Sequence, residues 1–281
     1  MQIEINKAQW IQNWGEDPGW RGFVGMIAAP AMGLSVLEFQ KIAPRGVIAA
    51  EHHSYMSKDG IPVTFDFSIE GAQQLADQAE TSALVFKQMG VDLIAICGTP
   101  TAFSIAGGYK ASVEQVARIE KNTGIPVVSM GLSLPFALNK LGAKTVAISC
   151  THYSEAYRQG LTRFLEDAGF TVLGNENWVS QGFYASPELL KGQLTRRFPM
   201  SLIYRSIRKA AENNPTADCI IGSGGAVFTL DIIDALEKDT RKPVISSTSA
   251  FLYQIFSRLG VWEGIPNRGS LLRSLDDGPS K

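Results

Sequence analysis

Apolar residues in this chain fall into short unbroken runs, each followed by a longer stretch in which apolar and polar positions recur at helical spacing. Strand-like runs cover 23–29, 46–50, 93–97, 126–130, 145–150, 171–173, 219–222 and 244–246. Helical patterns cover 69–89, 112–121, 135–141, 154–168, 187–213, 229–238 and 250–259. Continuous Val/Ile/Leu/Ala strands alternating with amphipathic helices predict an α/β protein whose parallel sheets are covered on both faces.

Part of this pattern occurs twice. Val91-Asp92-Leu93-Ile94-Ala95-Ile96-Cys97-Gly98-Thr99-Pro100-Thr101 leads to Gly124-Ile125-Pro126-Val127-Val128-Ser129, and Ala217-Asp218-Cys219-Ile220-Ile221-Gly222-Ser223-Gly224-Gly225-Ala226 leads to Arg241-Lys242-Pro243-Val244-Ile245-Ser246-Ser247. The repeat predicts two pseudo-symmetric, doubly wound, Rossmann-like halves, residues 1–142 and 143–281, with the site in the cleft between them. The last helix is expected to pack back on the first half, and the polar tail 274–281 to fray. Trp10, Trp14 and Trp20 cluster near the start, as an apolar cap or a contact in a homo-oligomer.

Composition narrows the partners. Net charge is -1, with 26 Lys+Arg against 27 Asp+Glu and no basic run, so no nucleic-acid or anionic-lipid partner is expected. No apolar run nears the ~20 residues that span a bilayer, and the start lacks a signal-peptide pattern, so a cytoplasmic protein without a membrane partner is expected. The three cysteines, Cys97, Cys150 and Cys219, sit in or at the end of apolar runs, as reduced buried thiols do.

Four turns share one context. Those around Pro30 and Met32, at 98–103, at 150–153 and at 222–226 each leave an apolar strand and precede a helical segment, which gathers backbone N–H groups and hydroxyls where carboxylates bind. Their residues predict a site for a small carboxylate built from Pro30, Met32, Gly98, Thr99, Tyr153, Ser223, Gly224, Gly225 and Ala226, with Phe103 and Phe228 adding apolar wall. His152 titrates in the useful range and is the first candidate for general acid or base, beside Tyr153. In Glu51-His52-His53, Glu51 and His53 share a strand face and His52 opposes them, so a carboxylate–imidazole pair is open there. Without a third ligand at suitable spacing, no metal site is expected.

The segments Ala29-Pro30-Ala31-Met32-Gly33-Leu34, Gly98-Thr99-Pro100-Thr101-Ala102-Phe103, Thr151-His152-Tyr153, Gly224-Gly225-Ala226-Val227-Phe228-Thr229-Leu230-Asp231 and Pro243-Val244-Ile245-Ser246-Ser247 together resemble the aspartate/glutamate racemase superfamily, in its branch of arylmalonate decarboxylase and maleate cis-trans isomerase. The resemblance runs from about Gly25 to Gly260. It implies a lyase or isomerase without metal or organic cofactor, a Tyr153 that contacts ligand, and proton chemistry beside a carboxylate. It also implies a cysteine at one or both turns, and aligned without gaps those positions here are Gly98 and Gly224. Glycine carries no proton, so racemization by two thiols is not expected and decarboxylation, needing one protonation, fits better. Cys97 is adjacent to the first position and stays a candidate thiol, although a one-residue shift on a strand reverses the face. The runner-up is a carboxylate-binding or accessory protein that lost catalysis. A dinucleotide-dependent dehydrogenase is a poor third, because 222–225 lacks the fingerprint spacing.

Overall fold

The computed structural model describes residues 18–28, 34–63, 68–151, 153–186 and 198–279. Two four-stranded, all-parallel sheets with flanking helices form two lobes. In the first, β1 (Gly22–Ala28), β2 (Val47–His53), β5 (Leu93–Ile96) and β6 (Val127–Ser129) lie in the order β2-β1-β5-β6. In the second, β7 (Thr145–Ser149), β8 (Thr171–Glu176), β9 (Cys219–Gly222) and β10 (Val244–Ser246) lie in the equivalent order β8-β7-β9-β10. A small antiparallel hairpin, β3 (Met56–Lys58) with β4 (Ile61–Val63), was not legible in the periodicity. Strands β5, β6, β9 and β10 are buried at every position, which explains their uninterrupted apolar sequences.

The repeat extends to individual hydrogen bonds. Asp92 Oδ2 accepts from Phe23 N (2.9 Å) at the start of β1, and Asp218 Oδ2 from Thr145 N (2.8 Å) at the start of β7. Ile94 N donates to Pro126 O (2.9 Å), and Ile220 N to Pro243 O (3.0 Å). At the strand ends Cys97 N donates to Ile27 O and Ser223 N to Ser149 O, both at 2.8 Å. Cys97 is thus the counterpart of Ser223, and Gly98 of Gly224.

Helices fill both faces: α1 (Leu34–Ile42), α2 (Ile69–Asp77), α3 (Ala79–Met89), α4 (Thr99–Phe103), α5 (Gly108–Thr123) and α6 (Met130–Lys140), then α7 (Glu155–Asp167), α8 (Met200–Asn213), α9 (Ile233–Thr240), α10 (Ser247–Arg258) and α11 (Ser270–Arg273). Several differ from the sequence pattern for local reasons. The helix expected over 69–89 is broken at Gln78, whose side chain both accepts from and donates to the Tyr55 backbone. Helix α6 starts at Met130 and keeps Pro135 inside, since Ser129 ends β6 and opens the helix directly. Helix α8 starts at Met200, and 187–197 lie outside the described residues, as do Trp10 and Trp14. Residues 274–277 form a 3-10 turn with Leu275 wholly buried, so this part of the tail is anchored rather than frayed.

The principal core is continuous through both lobes. A second cluster, with Ile27, Phe86, Ile94 and Ile119, covers the other face of the first sheet. The chain crosses between lobes from Lys140 to Thr145, and α10 packs on α6, where Ser133 Oγ donates to Gln254 Oε1 (2.7 Å) and Phe136 meets Tyr253 with ring centroids 6.1 Å apart. No helix among the described residues is long and apolar enough to cross a membrane.

Candidate active site

Strand ends β5 and β9 face each other across the lobes. A Cβ built on Gly225 would lie 3.9 Å from Gly98 Cα, an ordinary contact, and 3.2 Å from Ser35 Oγ and 3.3 Å from Met130 Sδ, which would each have to give slightly, so the two turns lie side by side. Gly98 has φ 98° and Gly224 φ 139°, backbone that side chains of L-residues rarely adopt. The two positions are therefore alike in hydrogen bonding and both are shaped for glycine.

Hydroxyls and amides converge there. Thr99 Oγ1 donates to Ser247 Oγ across the lobes (2.8 Å), and Ser247 Oγ also accepts from Gly224 N (3.2 Å) and lies 3.4 Å from Ser223 Oγ. All three hydroxyl side chains are fully buried. Ser247 holds this place because Ser246 and Ser249 form a reciprocal capping box that starts α10 immediately after β10. The Tyr153 ring packs edge-on against Phe103 and Tyr157 (centroids 6.4 and 5.3 Å). Burial pushes the Tyr153 phenol well above its usual range, against the opposing hydrogen bonds of Ser223 and Thr99, so it keeps its proton at neutral pH and can act as a donor.

The turn that delivers Tyr153 is strained. Thr151 has φ 52°, unusual for a β-branched residue, and is fixed by Thr151 Oγ1 donating to Ser223 O (3.3 Å) and Trp178 N donating to Thr151 O (2.7 Å). His152, Pro30 and Met32 lie outside the described residues.

Cys97 belongs to the principal core and is buried, and burial pushes its thiol far above its usual range. Such an environment suits a packed thiol, not a reactive one. The Glu51–His53 pair does form (3.2 Å) but on an edge strand, with the His53 side chain 53% exposed, while His52 turns to the opposite face against Phe86. Among the described residues no group of three His, Cys, Asp or Glu could hold a metal ion.

Four contributors went unrecognised in the sequence: Ser247, Met130, Ser35 and Glu38. Met130 Sδ accepts from Gly98 N (3.3 Å), and Ser35 Oγ donates to Gly225 O (3.3 Å). Glu38, 3% exposed, accepts through Oε1 from Thr229 N (2.8 Å) and Leu230 N (2.9 Å). The chain turns at 230–232, and α9 starts at Ile233 rather than at Thr229. The run Ser246-Ser247-Thr248-Ser249 carried a capping signal, and Glu38 stood out as a lone acid in the apolar stretch 34–39.

Duplicated parallel sheets whose strand ends meet at a buried cluster of hydroxyls and amides define a two-lobed α/β protein. The chain belongs to the arylmalonate decarboxylase family, whose model matches residues 24–272. It is 24% identical over 244 residues to the arylmalonate decarboxylase of Bordetella bronchiseptica, covering 86% of this chain and 88% of that protein. Among solved structures it is similar to a doubly substituted arylmalonate decarboxylase in the liganded form (TM-score 0.72, 22% identity, 89% of this chain and 98% of that one). It is also similar to a Nocardia farcinica maleate cis-trans isomerase with a cysteine-to-serine substitution and a covalently bound succinylcysteine intermediate (TM-score 0.70, 20% identity, 90% and 98% covered). These relatives are decarboxylases and isomerases with the same fold.

Proposed function

We propose that this chain is a cofactor-independent, cytoplasmic enzyme of the lyase or isomerase type that acts on a small carboxylic or dicarboxylic acid through an enediolate-like intermediate, decarboxylation being favoured. The observation that carries this reading is the buried meeting of Thr99, Ser223 and Ser247 hydroxyls with the Gly224 amide between the lobes. In this reading a substrate carboxylate displaces some of these internal hydrogen bonds and is held by the Thr99, Gly225 and Ala226 amides and by the Thr99, Ser223 and Tyr153 hydroxyls, with Pro30 and Met32 closing the pocket.

Loss of carbon dioxide from a malonate-type acid leaves its bonding electron pair on the remaining carboxylate as an enediolate. Donors already aimed at those oxygens favour that charge, each by roughly 3 kcal/mol where such donors have been removed in other enzymes. One proton then goes to the α-carbon. Tyr153, neutral and buried, is the candidate donor, and His152, next to it in sequence, is the group that would restore its proton. In this reading chemistry through a thiol at the turns is disfavoured, because an ungapped alignment puts Gly98 and Gly224 where the family's cysteines would stand and Cys97 is packed in the core.

Incubation with substituted malonates, maleate, amino acids and hydantoins in deuterated water, read by NMR, tests this. A monoacid carrying α-deuterium together with carbon dioxide release is the expected result. His152→Ala and Tyr153→Phe should each slow it, and unchanged rates in both would refute their assignment. The two side-chain-free glycines favour one second reading, a carboxylate-binding protein without turnover, for which tight binding with neither product nor exchange would decide.

A further inference from the structure

Glu38 has no part in that chemistry, yet it is the most unusual ionisable group near the site. It sits in the middle of α1 on the first lobe and spends both hydrogen bonds of its Oε1 on the second lobe, at Thr229 N and Leu230 N. One helical turn earlier, Ser35 grips the same segment at Gly225 O. Glu38 Oε2 and Thr248 Oγ1 are both buried and complete no well-formed hydrogen bond among the described residues, although Thr248 is near enough to act on the carboxyl. No cation pairs with it there: Lys41 of α1 and Arg268 both bind Asp231, the only charged group that acts on Glu38 appreciably. Of the elements packed on α1, β2 carries Glu51, His52 and His53, and α10 carries Arg258.

Burial dominates the carboxyl, raising its pKa from the usual 4.5 to about 7 against the bonds from Leu230, Thr229 and Thr248. An unpaired buried acid lowers stability, so its presence calls for another role.

Resting on the reading above, we propose that Glu38, with Ser35, is a positioning residue that reaches across the lobes and holds segment 225–230, so that the Gly225 and Ala226 amides stay turned toward a bound carboxylate. Charge-assisted bonds to two successive amides fix the segment more firmly than the neutral acid does.

The test follows amide resonances of Gly225, Ala226, Thr229 and Leu230 by NMR in ligand-free protein from roughly pH 5.5 to 8.5. All four should titrate with one midpoint near the Glu38 value of about 7. Glu38→Gln, which keeps an acceptor for both amides, should abolish this titration and bind phenylmalonate within about threefold of wild type, whereas Glu38→Ala should shift the Gly225 and Ala226 resonances and weaken binding about tenfold or more. Gly225 and Ala226 resonances that do not titrate with the other two, or an Ala variant that binds like wild type, would overturn the proposal. Should Glu38→Ala not fold, the Gln titration still decides. Should wild type bind no carboxylate, the functional reading falls, and the ligand-free titration decides separately whether Glu38 holds the segment.

Discussion

The two copies of the strand-and-turn unit share a register and differ in what holds the turn. After β5 the chain enters α4 at once, and the Gly98 carbonyl is bound within its own lobe by Thr101 N (3.2 Å) and Thr101 Oγ1 (2.6 Å). After β9 no helix forms until Ile233, and the intervening segment is held by Ser35 and Glu38 from the opposite lobe and by Ser247. Duplication thus yields two equivalent positions with unequal independence. The first turn is closed by its own lobe and reaches across through Thr99 Oγ1 to Ser247 Oγ, whereas the second is held by Ser247 in its own lobe and, further along, by Ser35 and Glu38 of the other. A ligand held by both would therefore grip one wall closed within its own lobe and one held partly by the other lobe.

Glu38 offers the largest way to break the comparison. Its folded pKa is raised, so its contribution to stability is fully present below the unfolded value of 4.5 and is lost as pH rises to about 7. A shift of that size corresponds to about 3 kcal/mol. Glu38→Gln removes that dependence. Urea unfolding near the two ends of this window should show wild type losing stability with rising pH relative to Glu38→Gln, and parallel curves would mean that the second turn is no more pH-sensitive than the first.

Next come the glycines. Alanine at Gly98 or Gly224 must adopt positive φ, at a cost on the order of 1–3 kcal/mol. Gly98→Ala should stand at the upper end, because α4 follows immediately and the turn cannot relax, and Gly224→Ala at the lower. Denaturation midpoints in the reverse order would contradict the claim that the first turn is the rigid one. Ser247→Ala should cost about 1–2 kcal/mol by leaving Thr99 Oγ1 and Gly224 N without their shared acceptor. Wild-type stability in that variant would show that the lobes do not depend on this link.

These differences also mark what the sequence could convey. Strand ends and small-residue turns were readable because a doubly buried strand must be continuously apolar, and Asp92 and Asp218 stand at matching places in the two copies. The face argument correctly turned His52 away from the Glu51–His53 pair. Glu38 and Ser247 escaped notice because their partners lie in the other copy or across the sheet, at separations periodicity does not encode. One helix limit failed where a side chain bonded to backbone far along the chain, as Gln78 does at Tyr55.

The smallest effect belongs to the opposite ends of the strands, where the copies should behave alike. Asp218 accepts from Lys144 N (2.9 Å) and Thr145 N (2.8 Å), and these bonds hold its carboxyl below the usual carboxylate range. Its contribution is present above the ordinary aspartate value and fades as pH falls through the lowered one. Asp218→Asn should therefore reduce stability slightly at neutral pH and have less effect in acid. Asp92, with the matching bond to Phe23 N, should give a reduction of the same sign at neutral pH when changed to Asn. Paired thermal melts check this: lowered midpoints in both variants would show that the duplication is energetic as well as geometric at the strand starts, and a loss in only one lobe would confine the symmetry to backbone shape.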